Sequence, residues 1–371
     1  GDKVALVVSD ITRAWIHHEQ FLPAILDELN AAGVPDDDIL LVIGLGAHRK
    51  MTDEENIATY SQEVVSRVKI IQSQGQETEN FIYVGTTSRG HETYLNKYVV
   101  DADKVILTGG IVYHLMAGFG GGRKSVLPGI ARYETIQANH SLCLHDEVGK
   151  GINPACCSGK TEGNHMHEDM MEMAEMLNPD FIFNVVLTAE GKFARFVAGH
   201  WRTAWESGCQ TVEEIFGVPI KEKADVVVAS AGGFPKDINL YQGSKTIDNA
   251  DMACKENGVV ILVMELPDIT EPPDFIGWFD YESLYERELA LRKAFTVPGF
   301  IALKSGMCFK QKPYIIVTLP ENKAFVEKTG MIYAESIEQA MAMAAEKLGR
   351  CDFKVTVMPH GANTVPLLTM K

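Results

Sequence analysis

The sequence predicts an α/β protein of two doubly wound, mainly parallel domains, with the functional site in the cleft between them. The chain has 371 residues, and at ~100–200 residues per domain this length favours two domains. Short runs rich in Val and Ile are apolar throughout, which indicates strands buried on both faces. Amphipathic stretches separate these runs, and strands that alternate with helices indicate parallel βαβ units.

The elements follow in order from these two patterns. The predicted strands are Val4–Val8, Ile39–Ile43, Phe81–Val84, Val105–Thr108, Phe181–Leu187, Val226–Ala229, Val259–Met264, Tyr314–Thr318 and Phe353–Val357. The predicted helices are Glu19–Ala32, Asp53–Ser66, His165–Leu177, Trp201–Phe216, Lys245–Asn257, Tyr281–Ala294 and Ile337–Leu348. Gly217-Val218-Pro219 ends a helix before a fresh strand, so the predicted domains are residues 1–218 and 219–371.

Composition excludes several classes of function. The net charge of −16 argues against nucleic acid or an anionic membrane as the main partner, and an anionic substrate would need a local cluster of positive charge. No apolar run approaches the ~18 residues of a membrane span. Seven Cys, two of them adjacent at Cys156-Cys157, suit neither a disulfide framework nor a zinc site. Reduced thiols and a cytoplasmic location are therefore expected.

Polar residues gather where the predicted strands end, which is where open parallel sheets bind ligands. The segments that carry glycine, acidic, basic or hydroxyl residues at these strand ends are Ser9–Arg13, Gly44–Arg49, Gly85–Arg89, Gly109–His114 and Asn239–Lys245. Arg13 and Lys245 could each bind a carboxylate, although an ion pair with a nearby acid is an equal alternative. The coincidence of these segments predicts one crevice for a small anionic ligand.

The segment Gly118–Ser125 is the densest of these loops. Its clustered glycines leave backbone N–H groups able to converge on a phosphate. It departs from the P-loop pattern because Arg123 stands where the last Gly belongs. A phosphate or nucleotide cradle is one interpretation, and a mobile surface turn is another. A nucleophilic or cofactor-carrying Lys124 also fits, since an apolar segment follows it.

Histidines supply the candidate acid, base and metal ligands. His48 and His114 each follow a strand, and as a pair they could act as base and acid near neutral pH, as a racemase requires. Either could instead be structural. The segment His140–His145 offers imidazole and thiolate ligands, but its spacing supports a single ligand only. His165 and His167 are expected in the first turn of a helix capped by Asn164.

Together these segments resemble the nickel-dependent lactate racemase family. The resemblance rests on Ser9–Arg13, Gly44–Arg49, the run His114–Ile130, Asn139-His140 and Tyr241–Lys245, which occur in the family's order. It implies a nickel-pincer nucleotide derived from nicotinic acid, made by separate cofactor-building enzymes and bound between two α/β domains.

The resemblance also implies a role for each matched residue. Lys124 would carry the cofactor through a thioamide, His140 would bind its nickel, and His48 with His114 would be the acid/base pair. Asp10 and Gln242 would position cofactor or substrate. The remaining implied contacts are Thr12, Gly121, Gly122, Arg123, Ser125 and Tyr241 with the cofactor, and Arg13, Lys245 and Phe300 with the substrate.

The implied activity is that of an isomerase acting on a small 2-hydroxy carboxylate, lactate-like or larger. One histidine would remove the hydroxyl proton while hydride leaves C2, and hydride would return to the other face of the planar 2-keto acid. Phe300 stands where the family's lactate enzymes carry a Trp, so an epimerase of a sugar or aldonic acid is an alternative. A transferase that uses Gly118–Ser125 to bind phosphate or nucleotide, and a ligand-binding protein without activity, are further alternatives.

Overall fold

A computed structural model describes residues 1–369 and divides the chain into two compact units. The first comprises residues 1–143 and 155–215, and the second comprises residues 144–154 and the described residues from 216 to 369. The strand Gly217–Ile220 pairs with Val365–Leu368, so the chain joins the second unit slightly before the sequence boundary at residue 218. Residues 144–154 also belong to the second unit, and no sequence pattern predicts this excursion.

The first unit is built on a six-stranded sheet in the order β10-β9-β6-β1-β2-β3. Its strands are β1 Val4–Ser9, β2 Ile39–Gly46, β3 Lys69–Gln74, β4 Phe81–Thr86, β5 Glu92–Asn96, β6 Lys104–Gly110, β7 Tyr113–His114, β8 Gly118–Phe119, β9 Phe181–Leu187 and β10 Phe193–Gly199. Its helices are α1 His18–Ala31, α2 Asp53–Tyr60, α3 Gln62–Arg67, α4 Lys97–Val100, α5 Tyr133–Ser141, α6 His165–Leu177 and α7 Trp201–Phe216. Within the sheet, only β10 runs antiparallel to its neighbour. Apolar residues of β1 and β2 pack on α1, as the sequence pattern predicts.

Two predictions for this unit are wrong in detail. The helix expected over Asp53–Ser66 is broken at Ser61, whose φ of 81° ends α2 while its hydroxyl caps α3. The strand expected at Phe81–Val84 does not join the parallel sheet, because β4 pairs antiparallel with β5 in a separate hairpin. The edge of the sheet is instead β3, which has no recognisable strand pattern in the sequence because Lys and Gln interrupt its apolar residues.

The second unit contains a fully parallel five-stranded sheet in the order β15-β14-β13-β12-β16. Its strands are β11 Gly217–Ile220, β12 Ala224–Ser230, β13 Cys254–Val263, β14 Tyr314–Val317, β15 Ile332–Ala334, β16 Val355–Met358 and β17 Val365–Leu368. Its helices are α8 Leu240–Ala253, α9 Pro273–Ile276, α10 Leu284–Lys293, α11 Val297–Gln311, α12 Lys323–Thr329 and α13 Ile337–Leu348. Helix α11 was not predicted, because its apolar residues surround the helix rather than forming one stripe.

The predicted α/β class with mainly parallel sheets is confirmed in both units. Among residues 1–369, no helix is long and apolar enough to cross a bilayer. None of the seven cysteines, all of which lie in the described part of the chain, forms a disulfide.

Candidate functional site

A carboxylate–imidazole pair lies where β1 and β2 end. Asp10 is buried directly after β1, where its Oδ1 accepts a hydrogen bond from the Thr12 N–H at 3.0 Å. Its Oδ2 lies 2.5 Å from Nδ1 of His48. Burial alone would raise the pKa of Asp10, but hydrogen bonds from His48 and Thr12 and the charges of His48 and Arg13 outweigh it, so the net pKa is lowered. The carboxylate therefore stays ionised beside the imidazole.

Strand register explains why these two side chains meet. Ser9 of β1 lies opposite Gly44 of β2, so the residues that follow both strands share one edge of the sheet. Gly46 has a φ of 57°, and a Cβ there would lie 3.1 Å from Pro128. With Nδ1–H donated to Asp10, the lone pair of His48 is on Nε2, and the side chain is half exposed. His48 can therefore act as a base.

The loop Gly118–Ser125, which carries Lys124, is shaped by two glycines and held by hydrogen bonds to neighbouring strands. Gly121 and Gly122 have φ values of 66° and 55°, and the Gly122 N–H donates to Oδ1 of Asn184 at 2.8 Å. Ser125 Oγ donates to the Thr108 carbonyl at 2.9 Å, which ties the loop to β6. The glycines thus shape the loop, and the contact with Asn184 uses one of the N–H groups that a phosphate cradle would need.

Lys124 is an unusual lysine. No carboxylate in residues 1–369 forms an ion pair with it. Burial, followed by the charges of Arg123 and Arg13, lowers the pKa of Lys124 to about 7. A large fraction of its amine is therefore neutral and nucleophilic near neutral pH.

Arg123 points into the protein and not toward a ligand. Its guanidinium lies 4.0 Å from the centre of the Trp205 ring, its Nε donates to Nδ1 of His167 at 3.1 Å, and its Nη2 donates to the Ala117 carbonyl at 2.7 Å. Burial lowers the pKa of Arg123 to about 9. This cluster clamps the loop one residue before Lys124.

His114 presents the opposite tautomer to His48. It lies in the β7–β8 hairpin, where its Nδ1 accepts hydrogen bonds from the N–H groups of Met116 and Ala117, both at 3.2 Å. The proton of the neutral ring is therefore on Nε2. Burial, followed by the charges of Lys124 and Arg13, holds the pKa of His114 well below its ordinary value. His114 is thus a neutral side chain with an N–H to donate.

His140 has the features of a single metal ligand. It is buried in α5, and its Nδ1–H donates to the Ile136 carbonyl at 2.9 Å, which leaves the lone pair on Nε2. Burial, followed by the charge of Lys124, lowers its pKa to about 3 despite that hydrogen bond, so the ring is neutral. Across residues 1–369, no group of three or more His, Cys, Asp or Glu is arranged to hold a metal.

The structure thus brings several predicted residues into one electrostatic cluster in the first unit. The charge of Arg13 lowers the pKa values of Asp10, His114 and Lys124. The charge of Lys124 lowers those of His114 and His140. Arg13 is exposed, and its Nη1 donates to the carbonyl and hydroxyl of Thr12. Sequence reasoning missed Asn184, Trp205 and His167 as supports of this cluster, because each is far along the chain from the loop that it holds.

The remaining predicted residues lie in the second unit. Tyr241, Gln242 and Lys245 occupy the first turns of α8, where the Gln242 N–H donates to Oδ1 of the capping Asn239 at 2.9 Å. Phe300 is fully buried in α11. Asn164 caps α6 through the N–H of His167, at 3.1 Å, which confirms the predicted structural position of His165 and His167.

Comparisons with known proteins agree over nearly the whole chain. A lactate racemase N-terminal domain model matches residues 1–151, and a lactate racemase C-terminal domain model matches residues 220–365. The lactate racemase of Thermoanaerobacterium thermosaccharolyticum is 32% identical over 367 residues, covering 98% of this chain and 84% of that protein. The lactate racemase of Lactiplantibacillus plantarum is 30% identical over 377 residues, with the same coverage.

Solved structures show the same similarity. The lactate racemase apoprotein of Thermoanaerobacterium thermosaccharolyticum superposes with a TM-score of 0.84 at 30% identity, covering 99% of this chain and 87% of the other. A Thermotoga maritima protein of 18% identity superposes with a TM-score of 0.62, covering 99% of this chain and 94% of the other, which shows a shared fold alone.

Proposed function

The chain belongs to the lactate racemase family and is an isomerase of the racemase type, and we propose that it inverts the hydroxyl-bearing C2 of lactate or a larger 2-hydroxy acid. One observation carries this proposal: the charge of Arg13 acts on Asp10, which holds His48, on the neutral His114 and on Lys124, whose pKa is about 7. An exposed cation beside a base and an N–H donor is suited to a small hydroxy carboxylate.

The residues of the first unit fit a nickel-pincer nucleotide. Lys124 offers a partly neutral amine for covalent attachment, and His140 offers one oriented imidazole nitrogen. Because no cage of three protein ligands is present in residues 1–369, a metal here would take its other ligands from the bound group. The chemistry supplied by that group when bound is acceptance and return of the C2 hydrogen. Cofactor-building enzymes would be partners of this chain, and the cytoplasm its location.

The protein's own groups then handle charge and protons. Arg13, steadied by Thr12, binds the substrate carboxylate. His48 takes the hydroxyl proton at Nε2, and the Asp10 carboxylate stabilises the imidazolium that results. His114 is the second member of the acid/base pair and acts through Nε2. We assign Gln242 and Tyr241 to cofactor contacts, and Lys245 to the substrate, from the family resemblance. Phe300 is fully buried in α11, so the effect on the substrate that the resemblance implies for it would act through the residues packed on it.

The alternative function, a transferase that binds phosphate or nucleotide through Gly118–Ser125, has less support in the structure. Asn184 takes the Gly122 N–H, and the Arg123 guanidinium is engaged by Trp205, His167 and Ala117. Gly121 and Ser125 therefore serve chiefly to shape the loop, with Lys124 as its reactive group. An epimerase of a sugar or aldonic acid uses the same chemistry and differs only in the walls of the substrate pocket.

The test combines a mass measurement with a substrate panel. The protein is made together with the cofactor-building enzymes, and the Lys124 peptide should carry an added mass that Lys124→Ala lacks and Lys347→Ala, a surface control, retains. The holoprotein should then interconvert the enantiomers of at least one 2-hydroxy or aldonic acid, read by chiral chromatography. An unmodified Lys124 from a strain that demonstrably makes the cofactor would contradict the proposal.

A further inference from the structure

A polar cavity lies in the second unit, beside the start of α10. Its volume is about 230 Å³, below the ~300–1,000 Å³ of pockets for drug-sized ligands, so it suits a compact metabolite. Ser283, Arg287, Lys310 and Lys328 contribute polar groups, and Phe279 and Phe309 contribute aromatic walls. None of the residues assigned above to cofactor or substrate lines it.

Arg287 is the central feature of this cavity. It is 6% exposed, and its guanidinium lies 4.7 Å from the centre of the Phe279 ring. Its Nη1 donates to the Ala302 carbonyl at 2.9 Å, whereas its Nε is buried and has no hydrogen-bond partner among residues 1–369. Burial lowers the pKa of Arg287 to about 10, so the group remains charged at neutral pH. A buried charged donor without an acceptor is costly, and because the Arg287 side chain lines the cavity, an oxyanion bound there would lie against its guanidinium.

The surroundings of Arg287 reinforce its charge. Arg287 lies near the beginning of the ten-residue helix α10, and long side chains in a helix lean toward its N-terminus. The N-terminus carries a partial positive charge, which adds to the charge of the guanidinium. Lys310 is exposed at the rim, and Lys328 pairs with Asp280. Because Asp280 neutralises Lys328 and Glu282 is the acidic residue of the lining, Arg287 and Lys310 are the cations that face this one acid in a chain of net charge −16.

We propose that this cavity binds the phosphate group of a small phosphorylated metabolite. Phosphate oxygens would accept from Arg287 and Lys310, and the carbon skeleton would contact Phe279 and Phe309. A dianion is favoured over a single carboxylate because a planar guanidinium, a second cation and a helix N-terminus converge on one small volume.

Calorimetric titration of the full chain with inorganic phosphate tests this site. Lys310→Gln removes an exposed cation and should weaken phosphate binding by about tenfold or more, since hydrogen bonds to charged groups are worth ~1.5–3 kcal/mol. Lys347→Gln removes another exposed lysine that does not line the cavity, and this variant should bind phosphate as the wild type does. Any phosphate that binds to cations of the first unit gives the same heat in both variants, so it does not affect the comparison between them.

Arg287→Lys provides a second variant, checked for folding by thermal melting, and should also weaken phosphate binding. Acetate at matched ionic strength should show no binding that depends on Lys310. The proposal is overturned if millimolar phosphate gives no heat that Lys310→Gln alters, or if acetate binds as tightly as phosphate with the same dependence on Lys310.

Discussion

Replacing Asp10 by Asn should disable the base without altering the size of the side chain. The wild-type carboxylate accepts from Nδ1 of His48 at 2.5 Å, which keeps the lone pair on Nε2. An amide can present its NH₂ group to Nδ1, which favours the tautomer with the proton on Nε2 and removes the base. Loss of a charge-assisted hydrogen bond is worth ~1.5–3 kcal/mol, or about 10–150-fold, and full loss of a general base is worth ~10²–10⁴-fold.

We therefore expect Asp10→Asn to lower the racemisation rate of the holoprotein by about 10²–10⁴-fold in both directions. Asp10→Ala should be less damaging, because His48 is then free to place its lone pair on Nε2. Nitrogen NMR of the imidazole reports the tautomer directly and does not require turnover. Asp37→Asn, at an exposed acid, is the matched control. A rate for Asp10→Asn within about threefold of the wild type, or an Ala variant slower than the Asn variant, would refute this reasoning.

Two further predictions concern stability. Burial lowers the pKa of His18 to about 3, whereas an unfolded His has a pKa of ~6.5, so the unfolded chain binds the extra proton in this window and stability is lost as pH falls. The measurement is the free energy of unfolding in urea between about pH 6 and pH 4. In His18→Gln this free energy should fall less steeply with decreasing pH, by ~1.4 kcal/mol per pH unit, which corresponds to about one proton. An unchanged slope would mean that His18 is protonated in the folded state. Arg123→Lys keeps the charge but cannot make the contacts with His167, Ala117 and Trp205 together, so it should cost roughly 2–4 kcal/mol. Arg132→Lys, which removes a partly exposed contact with Tyr94, should lower the free energy of unfolding in urea by less than about 1 kcal/mol. Equal losses in the two variants would contradict the role of Arg123 in holding the loop.

The parts of the fold that could be predicted from sequence are those controlled by local patterns. Continuous Val and Ile runs placed β1 and β2 correctly, and parallel neighbours then forced Asp10 and His48 to the same edge. Capping chemistry placed the start of α6 at His165. By contrast, the break at Ser61 depends on a single backbone angle that no apolar pattern encodes.

The supports of the site could not be predicted, because they depend on long-range contacts. Asn184 reaches Gly122 across 62 residues, and Arg123 is stacked on Trp205. From the sequence alone, an Arg next to a Gly-rich segment indicates a phosphate contact, because nothing in the sequence shows that Trp205 stacks on Arg123. Glu288 likewise accepts from the Gly149 and Gly151 N–H groups, and this contact holds residues 144–154 in the second unit.

The two candidate catalytic histidines are not equivalent, although the sequence treats them alike. His48 donates Nδ1–H to a carboxylate and keeps a lone pair on Nε2, whereas His114 accepts two backbone N–H groups at Nδ1 and keeps a proton on Nε2. Protonating His114 would place a proton on Nδ1 against those two donors, in the field of Lys124 and Arg13. In this resting arrangement His48 is ready to take a proton and His114 is ready to donate a hydrogen bond. Because a racemase must work in both directions, turnover from the other enantiomer requires the proton of His114 to be on Nδ1 and the lone pair on Nε2, and for this the N–H groups of Met116 and Ala117 must turn away from Nδ1.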